Sequence, residues 1–143
     1  MDVYQHWSGV KDKHKNLVIG LGNFDGMHIG HQELISKLVR LAEEAEGTPA
    51  VMTFDPHPLA VLKPAECPPL LLSQESKKRI IAKLGAKALL MIPFNRGLAC
   101  MTPEEFVVKI LYQELGVKGV VVGYNYTFGF MGRGTADLMK EMF

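Results

Sequence analysis

Gly22-Asn23-Phe24-Asp25-Gly26-Met27-His28-Ile29-Gly30-His31 follows the apolar run Leu17-Val18-Ile19 and leads into an amphipathic stretch. That order reads as strand, tight loop and helix start. Two histidines three residues apart at a helix N-terminus lie on one face, about one turn from each other. The unpaired N–H groups of a first helical turn, with the positive end of the helix dipole, favour an anion. Gly22, Gly26 and Gly30 allow the backbone to come close to that anion. The segment therefore describes a phosphate site with two imidazoles, His28 and His31, aimed at it.

The composition suits a soluble globular domain. Of 143 residues, 48% are hydrophobic and 22% charged, and the formal net charge is +1. No broad basic surface is implied, so nucleic acid is not an expected partner. Cys67 and Cys100 form no CxxC pair and read as free thiols, although counting leaves one disulfide open. No apolar run approaches the ~20 residues of a membrane span, and Asp2, His6, Lys11 and Asp12 interrupt any signal-peptide pattern. A cytoplasmic protein with no membrane partner is expected.

Outward from the His segment, the chain alternates strands and helices without internal repeats. The first strand is expected over Asn16 to Leu21. A helix from about Gly30 to Glu46 carries Leu34, Ile35, Leu38, Val39, Leu41 and Ala42 at helical spacing, and Gly47 followed by Pro49 should stop it. The second strand is Ala50 to Phe54. Residues 55–69, with Pro56, Pro58, Pro64, Pro68 and Pro69, read as a long irregular loop. Ser73 is a candidate cap for a helix reaching about Leu84, closed by Gly85. The third strand is Ala88 to Ile92. Thr102-Pro103-Glu104-Glu105 is a capping box with proline at the first helical position, opening a helix to about Leu115. Val117 to Val122 is a near-continuous apolar run of the kind buried in a parallel sheet, and Thr135 is a candidate cap for a last short helix.

This alternation predicts one doubly wound, Rossmann-like α/β domain. Ligands in such sheets bind beyond the carboxyl ends of the strands. The His segment, Thr53-Phe54-Asp55-Pro56-His57-Pro58 and Gly123-Tyr124-Asn125-Tyr126-Thr127-Phe128-Gly129 follow the first, second and fourth strands, so all three should meet on one edge. His57, fixed between Pro56 and Pro58, suits a stiff wall for a flat ligand. Asn125 combines an acceptor with a donor pair, the equipment to read a heterocycle edge. Phe128 offers an aromatic contact, with core packing as its alternative.

Competing motifs fit less well. Gly20-Leu21-Gly22 begins like a dinucleotide fingerprint, but Asp25 stands where the third glycine belongs. Gly129 to Gly134 has P-loop spacing, then continues Thr135-Ala136 without a lysine. His28, His31 and His57 lack the cysteine pair or Glu-x-x-His pattern of a zinc site, so no resident metal is expected. Asp25 can also serve simply as a favourable charge at a helix start.

His28-Ile29-Gly30-His31, Asp55-Pro56-His57-Pro58 and Asn125 to Gly129, in that order, resemble the signatures of the prokaryotic FAD synthetases. These are the adenylyltransferase half of bifunctional riboflavin kinase/FMN adenylyltransferases, within the HxGH nucleotidyltransferase superfamily. HxGH alone leaves other nucleotidyl transferases and class I aminoacyl-tRNA synthetases in play; the two later motifs narrow the choice. The resemblance runs from about Leu17 to the end of the chain. It implies transfer of AMP from ATP to FMN, giving FAD and pyrophosphate with Mg²⁺. It implies that His28 and His31 act at the phosphates, and that Gly22, Asn23, Phe24, Asp25 and Gly30 surround ATP. Pro56, His57, Pro58, Asn125 and Phe128 would then line a pocket for FMN and riboflavin.

The sequence departs from that family in two places. Nothing after Thr135 resembles its ISSTxxR-like segment, and a riboflavin kinase domain is absent. Residues 1–143 are therefore expected to form an incomplete, C-terminally truncated adenylyltransferase domain. In a sheet ordered 3-2-1-4-5, a missing fifth strand would expose Val117 to Val122 as an apolar edge inviting self-association, with weak activity in isolation. The alternatives are a non-catalytic flavin- or nucleotide-binding fragment, or a nucleotidyltransferase for another small substrate such as phosphopantetheine or glycerol phosphate.

Overall fold

The computed structural model describes residues 1–22, 29–54, 74–93 and 96–122. Five strands form one sheet: β1 (Asp2–Tyr4), β2 (Leu17–Leu21), β3 (Thr48–Phe54), β4 (Ala88–Ile92) and β5 (Gly119–Val122). They are ordered β1-β4-β3-β2-β5, and every neighbouring pair is parallel. The expected order of the four strands named from sequence is therefore present, with β1 added beyond β4. Helices are α1 (Val10–Lys13), α2 (Ile29–Glu44), α3 (Gln74–Lys83), α4 (Arg96–Ala99) and α5 (Pro103–Glu105), which continues as a π-helix (Phe106–Glu114). The candidate caps Ser73 and Thr135 lie outside the described residues.

Strands buried on both faces need apolar residues at consecutive positions. β2 and β4 have them: each of their residues is buried. Leu17, Ile19 and Leu21 share one core with Met52, Phe54, Leu90, Val10 and the π-helix residues Phe106, Val107, Ile110 and Leu111. Val18, Val51, Leu89, Met91 and Val121 face the other core, closed by Ile35, Leu38 and Ala42 of α2 and Ile81 of α3. Helices thus cover both faces, as the doubly wound reading requires.

Several local expectations are refined. The helix after the His segment ends at Glu44 rather than Glu46, and the left-handed position behind it is Glu46 (φ 54°), not a glycine. Glu46 N–H bonds to the Glu43 carbonyl at 3.2 Å and Gly47 N–H to the Ala42 carbonyl at 2.7 Å, the paired bonds of a Schellman ending. Gly47 is needed for a different reason: a Cβ there would run into the Asn16 carbonyl oxygen. That carbonyl also accepts from Thr48 N–H at 3.1 Å, so this contact sets where β3 begins beside β2. Gly85 (φ 112°) ends α3 as expected. The Thr102 cap is present, its Oγ1 accepting from Glu105 N–H at 3.1 Å. Beyond it the backbone widens: Leu115 N–H reaches the Ile110 carbonyl at 3.0 Å, an i→i−5 bond, where an α-helix was expected. β5 starts at Gly119, two residues later than the apolar run, and Val117 instead joins the core from the preceding turn.

β1 was not expected from sequence. Its residues are largely exposed, and it forms by pairing with β4, Asp2 N–H bonding to the Lys87 carbonyl at 3.1 Å. His14 holds it from below: Tyr4 Oη lies 2.8 Å and Asp2 Oδ2 3.2 Å from His14 Nε2. Burial pushes the Tyr4 phenol above its ordinary value, and the Asp2 carboxylate adds to the shift.

Because the Gly47 contact is with backbone, neither partner can yield by changing rotamer. Gly47→Ala is expected to lower stability by about 1–3 kcal/mol, read as a lower urea midpoint with an unchanged slope.

Candidate functional site

Parallel pairing fixes where the three sequence motifs emerge. Leu21, the last residue of β2, is level with Met52 of β3 on one side and Val122 of β5 on the other. The His segment leaves β2, the FDPHP segment leaves β3 and the Asn125 segment leaves β5, so their anchoring strands end on one rim of the sheet. β2 is also the turning point of the topology. From β2 the chain winds through β3 to β4, and β5 then pairs on the opposite side of β2. The crevice at such a reversal is where ligands of open α/β sheets bind.

α2 starts on that rim and runs back over β2, β3 and β5. Its close approach depends on Gly20, where a Cβ would meet Leu38 Cδ2 at 3.1 Å and Leu34 Cδ2 at 3.4 Å. Packing of Ile35, Leu38 and Ala42 into the core therefore pins the first turn of α2 beside the end of β2. No acidic side chain stands in that first turn. The positive end of the α2 dipole is left uncancelled by its own helix, as an anion site at this position requires.

The candidate residues are located as follows. Gly22 is buried immediately after β2, and its N–H is committed to the Met52 carbonyl at 3.3 Å. Any contact of Gly22 with a ligand must use its Cα or carbonyl rather than its amide hydrogen. Gly30 and His31 are the second and third residues of α2, which places their backbone N–H groups in the orphan first turn. His28, Asn23, Phe24, Asp25, Pro56, His57, Pro58, Asn125 and Phe128 lie outside the described residues. Among the described residues no group of three or more His, Cys, Asp or Glu is placed to hold a metal ion.

Two buried polar residues stand outside the candidate site residues named from the sequence. Thr53 and Lys77 are the buried polar side chains among the described residues, at 0% and 2% exposure. Thr53 stands near the end of β3, paired in register with Met91 of β4. Lys77 is in the first turn of α3, one turn before Ile81, which is fully buried against the sheet. The burial of Lys77 emerges only from the packed structure.

Comparison with known proteins bears on this arrangement directly. A family model described as FAD synthetase matches residues 10–143. The chain belongs to the FAD synthetase family. Curated relatives are bifunctional riboflavin kinase/FMN adenylyltransferases. The protein from Bacillus subtilis is 37% identical over 133 residues, covering 92% of this chain and 42% of the relative. That from Buchnera aphidicola (subspecies Acyrthosiphon pisum) is 29% identical, over 99% of this chain and 45% of the relative. That from Escherichia coli K12 is 33% identical, over 87% of this chain and 40% of the relative. The chain thus spans less than half the length of these relatives. A crystal structure described as a macrolide-efflux protein from Streptococcus pneumoniae superposes with a TM-score of 0.79 at 29% identity, covering 99% of this chain and 46% of that one. Among the described residues no helix is long and apolar enough to cross a membrane.

Proposed function

We propose that this chain carries the FMN adenylyltransferase chemistry of FAD biosynthesis. An oxygen of the FMN phosphate attacks the α-phosphorus of ATP, the bond from that phosphorus to the bridging oxygen breaks, and pyrophosphate leaves as FAD forms. The observation that carries this reading is the common rim at which β2, β3 and β5 end, each followed by one of the three family motifs. Charge grows on the phosphoryl and leaving oxygens during the transfer, so catalysis rests on positioning and neutralisation. In this reading His28 and His31 donate to those oxygens, beside the N-terminus of α2, whose first turn holds no acidic side chain. Asn23, Phe24, Asp25 and the close backbone at Gly22 and Gly30 surround ATP. Pro56, His57, Pro58, Asn125 and Phe128 form the flavin pocket, which also admits riboflavin. Mg²⁺ enters with ATP as part of the substrate. The reaction suits a cytoplasmic enzyme, and the β5 edge is the surface through which copies would self-associate.

Incubating the protein with ATP, FMN and Mg²⁺ and following FAD and pyrophosphate tests the reading; the account expects both products in equal amounts. Replacing His28 or His31 with Ala is expected to raise the barrier by about 2–4 kcal/mol while flavin affinity stays close to the original. Equal turnover in those variants would remove both histidines from the mechanism.

Replacing Asn125 or His57 with Ala separates the two ligands. Fluorescence titration is expected to show weaker FMN and riboflavin binding with ATP affinity retained. A loss confined to ATP would put the flavin on the other side of the crevice.

A further inference from the structure

Gly20 breaks the pattern of β2. The strand is buried along its whole length, and its other residues, Leu17, Val18, Ile19 and Leu21, are large and apolar. A strand of this kind gains from a side chain at every position, and a glycine inside it loses both packing and chain entropy. Backbone freedom does not explain the choice, because Gly20 is not among the residues with positive φ and pairs in register with Val51 and Val121. Space does explain it. A Cβ at Gly20 would stand 3.1 Å from Leu38 Cδ2 and 3.4 Å from Leu34 Cδ2, so the neighbour would have to give by a few tenths of an ångström.

What gives decides the consequence. Leu38 is fully buried and shares one core with Val18, Ile35, Ala42, Val51 and Ile81. A close-packed interior passes strain on rather than absorbing it, so the load falls on α2 as a body. Leu34 lies one turn and Leu38 two turns beyond Gly30, and a displacement at either reaches the first turn of the helix. The sheet responds differently. β3 and β5 are held to β2 by backbone pairing, with Leu21 opposite Met52 and Val122, and a side chain at position 20 removes none of those backbone groups. The depth of α2 can change while the strands that lead into the FDPHP and Asn125 segments keep their spacing.

We propose that Gly20 is a positioning residue for the transfer step. By setting how deep α2 lies on β2, it sets where the first turn of α2 stands relative to the ends of β3 and β5. This rests on the adenylyl-transfer reading, in which that turn faces the phosphates of ATP and the flavin is held from β3 and β5. Attack depends on the separation and alignment of the attacking oxygen and the α-phosphorus, and a misplacement of about 1 Å can cost on the order of 10²-fold in rate. A shift of a few tenths of an ångström then costs several-fold with both ligands still bound.

The test follows FAD formation from FMN and ATP with Mg²⁺, and riboflavin affinity by fluorescence titration. Gly20→Ala is expected to lower kcat about fivefold, with KM for FMN and the riboflavin Kd within about twofold of the original. Adding Leu38→Val removes the δ carbons that the new Cβ would meet and keeps the total number of side-chain carbons. That double variant should return kcat to within about twofold of the original. Unchanged kcat in a folded Gly20→Ala variant overturns the proposal, as does an equal loss of riboflavin affinity or no recovery in the double variant. Failure of Gly20→Ala to fold assigns Gly20 to the core alone and also overturns it. An unmutated protein that forms no FAD removes the adenylyl-transfer reading and the proposal with it, whereas FAD formation insensitive to Gly20→Ala removes the proposal alone.

Discussion

Parallel pairing of β2 with β3 on one side and β5 on the other is the constraint from which the remaining features follow. A parallel strand cannot be reached by a tight turn, so the chain must cross back over the sheet between strands. Those crossings supply the helices that bury both faces of β2, where Leu17, Ile19 and Leu21 point one way and Val18 the other. The same geometry brings every strand out on one rim. The opposite rim is tightened by contacts such as Gly47 against Asn16.

Legibility in the sequence followed the range of the interactions responsible. Ala88 to Ile92 was readable residue for residue, because a five-residue apolar run behind the Gly85 helix ending is too short for a helix of its own and suits a strand buried on both faces. The Thr102 cap and the Gly85 ending were readable because they are made by residues within a few positions of each other. β1 was not, since Asp2, Val3 and Tyr4 carry no strand pattern of their own and depend on β4 and on His14. The left-handed Glu46 was hidden by the glycine beside it, whose real constraint is a tertiary contact. The widening of the helix after Phe106 leaves Phe106, Val107, Ile110 and Leu111 buried together, and a capping box says nothing about it.

The site divides in the same way. Motif order predicted three loops on one rim; the parallel topology brings the strands before them, β2, β3 and β5, to an end on one rim. Gly20 contributes through packing against Leu34 and Leu38, which a dinucleotide-fingerprint reading of Gly20-Leu21-Gly22 does not address. Thr53, at the head of the second motif, and Lys77, outside all three, are set apart from their buried neighbours by being polar, which only the packed structure reveals. Membership of the chain in the FAD synthetase family is what supports the proposed adenylyl-transfer reading of the rim. The helix start without acidic residues gives it a sign.

An amide NMR titration of the protein with ATP and Mg²⁺ tests the location of the site most directly. The account predicts the largest shifts at Gly22, Gly30, His31, Thr53 and Val122, around the carboxyl ends of β2, β3 and β5. Asn16, Gly47 and Gly85, on the opposite rim, should stay in place. Shifts centred on Asn16, Gly47 and Gly85 would contradict it.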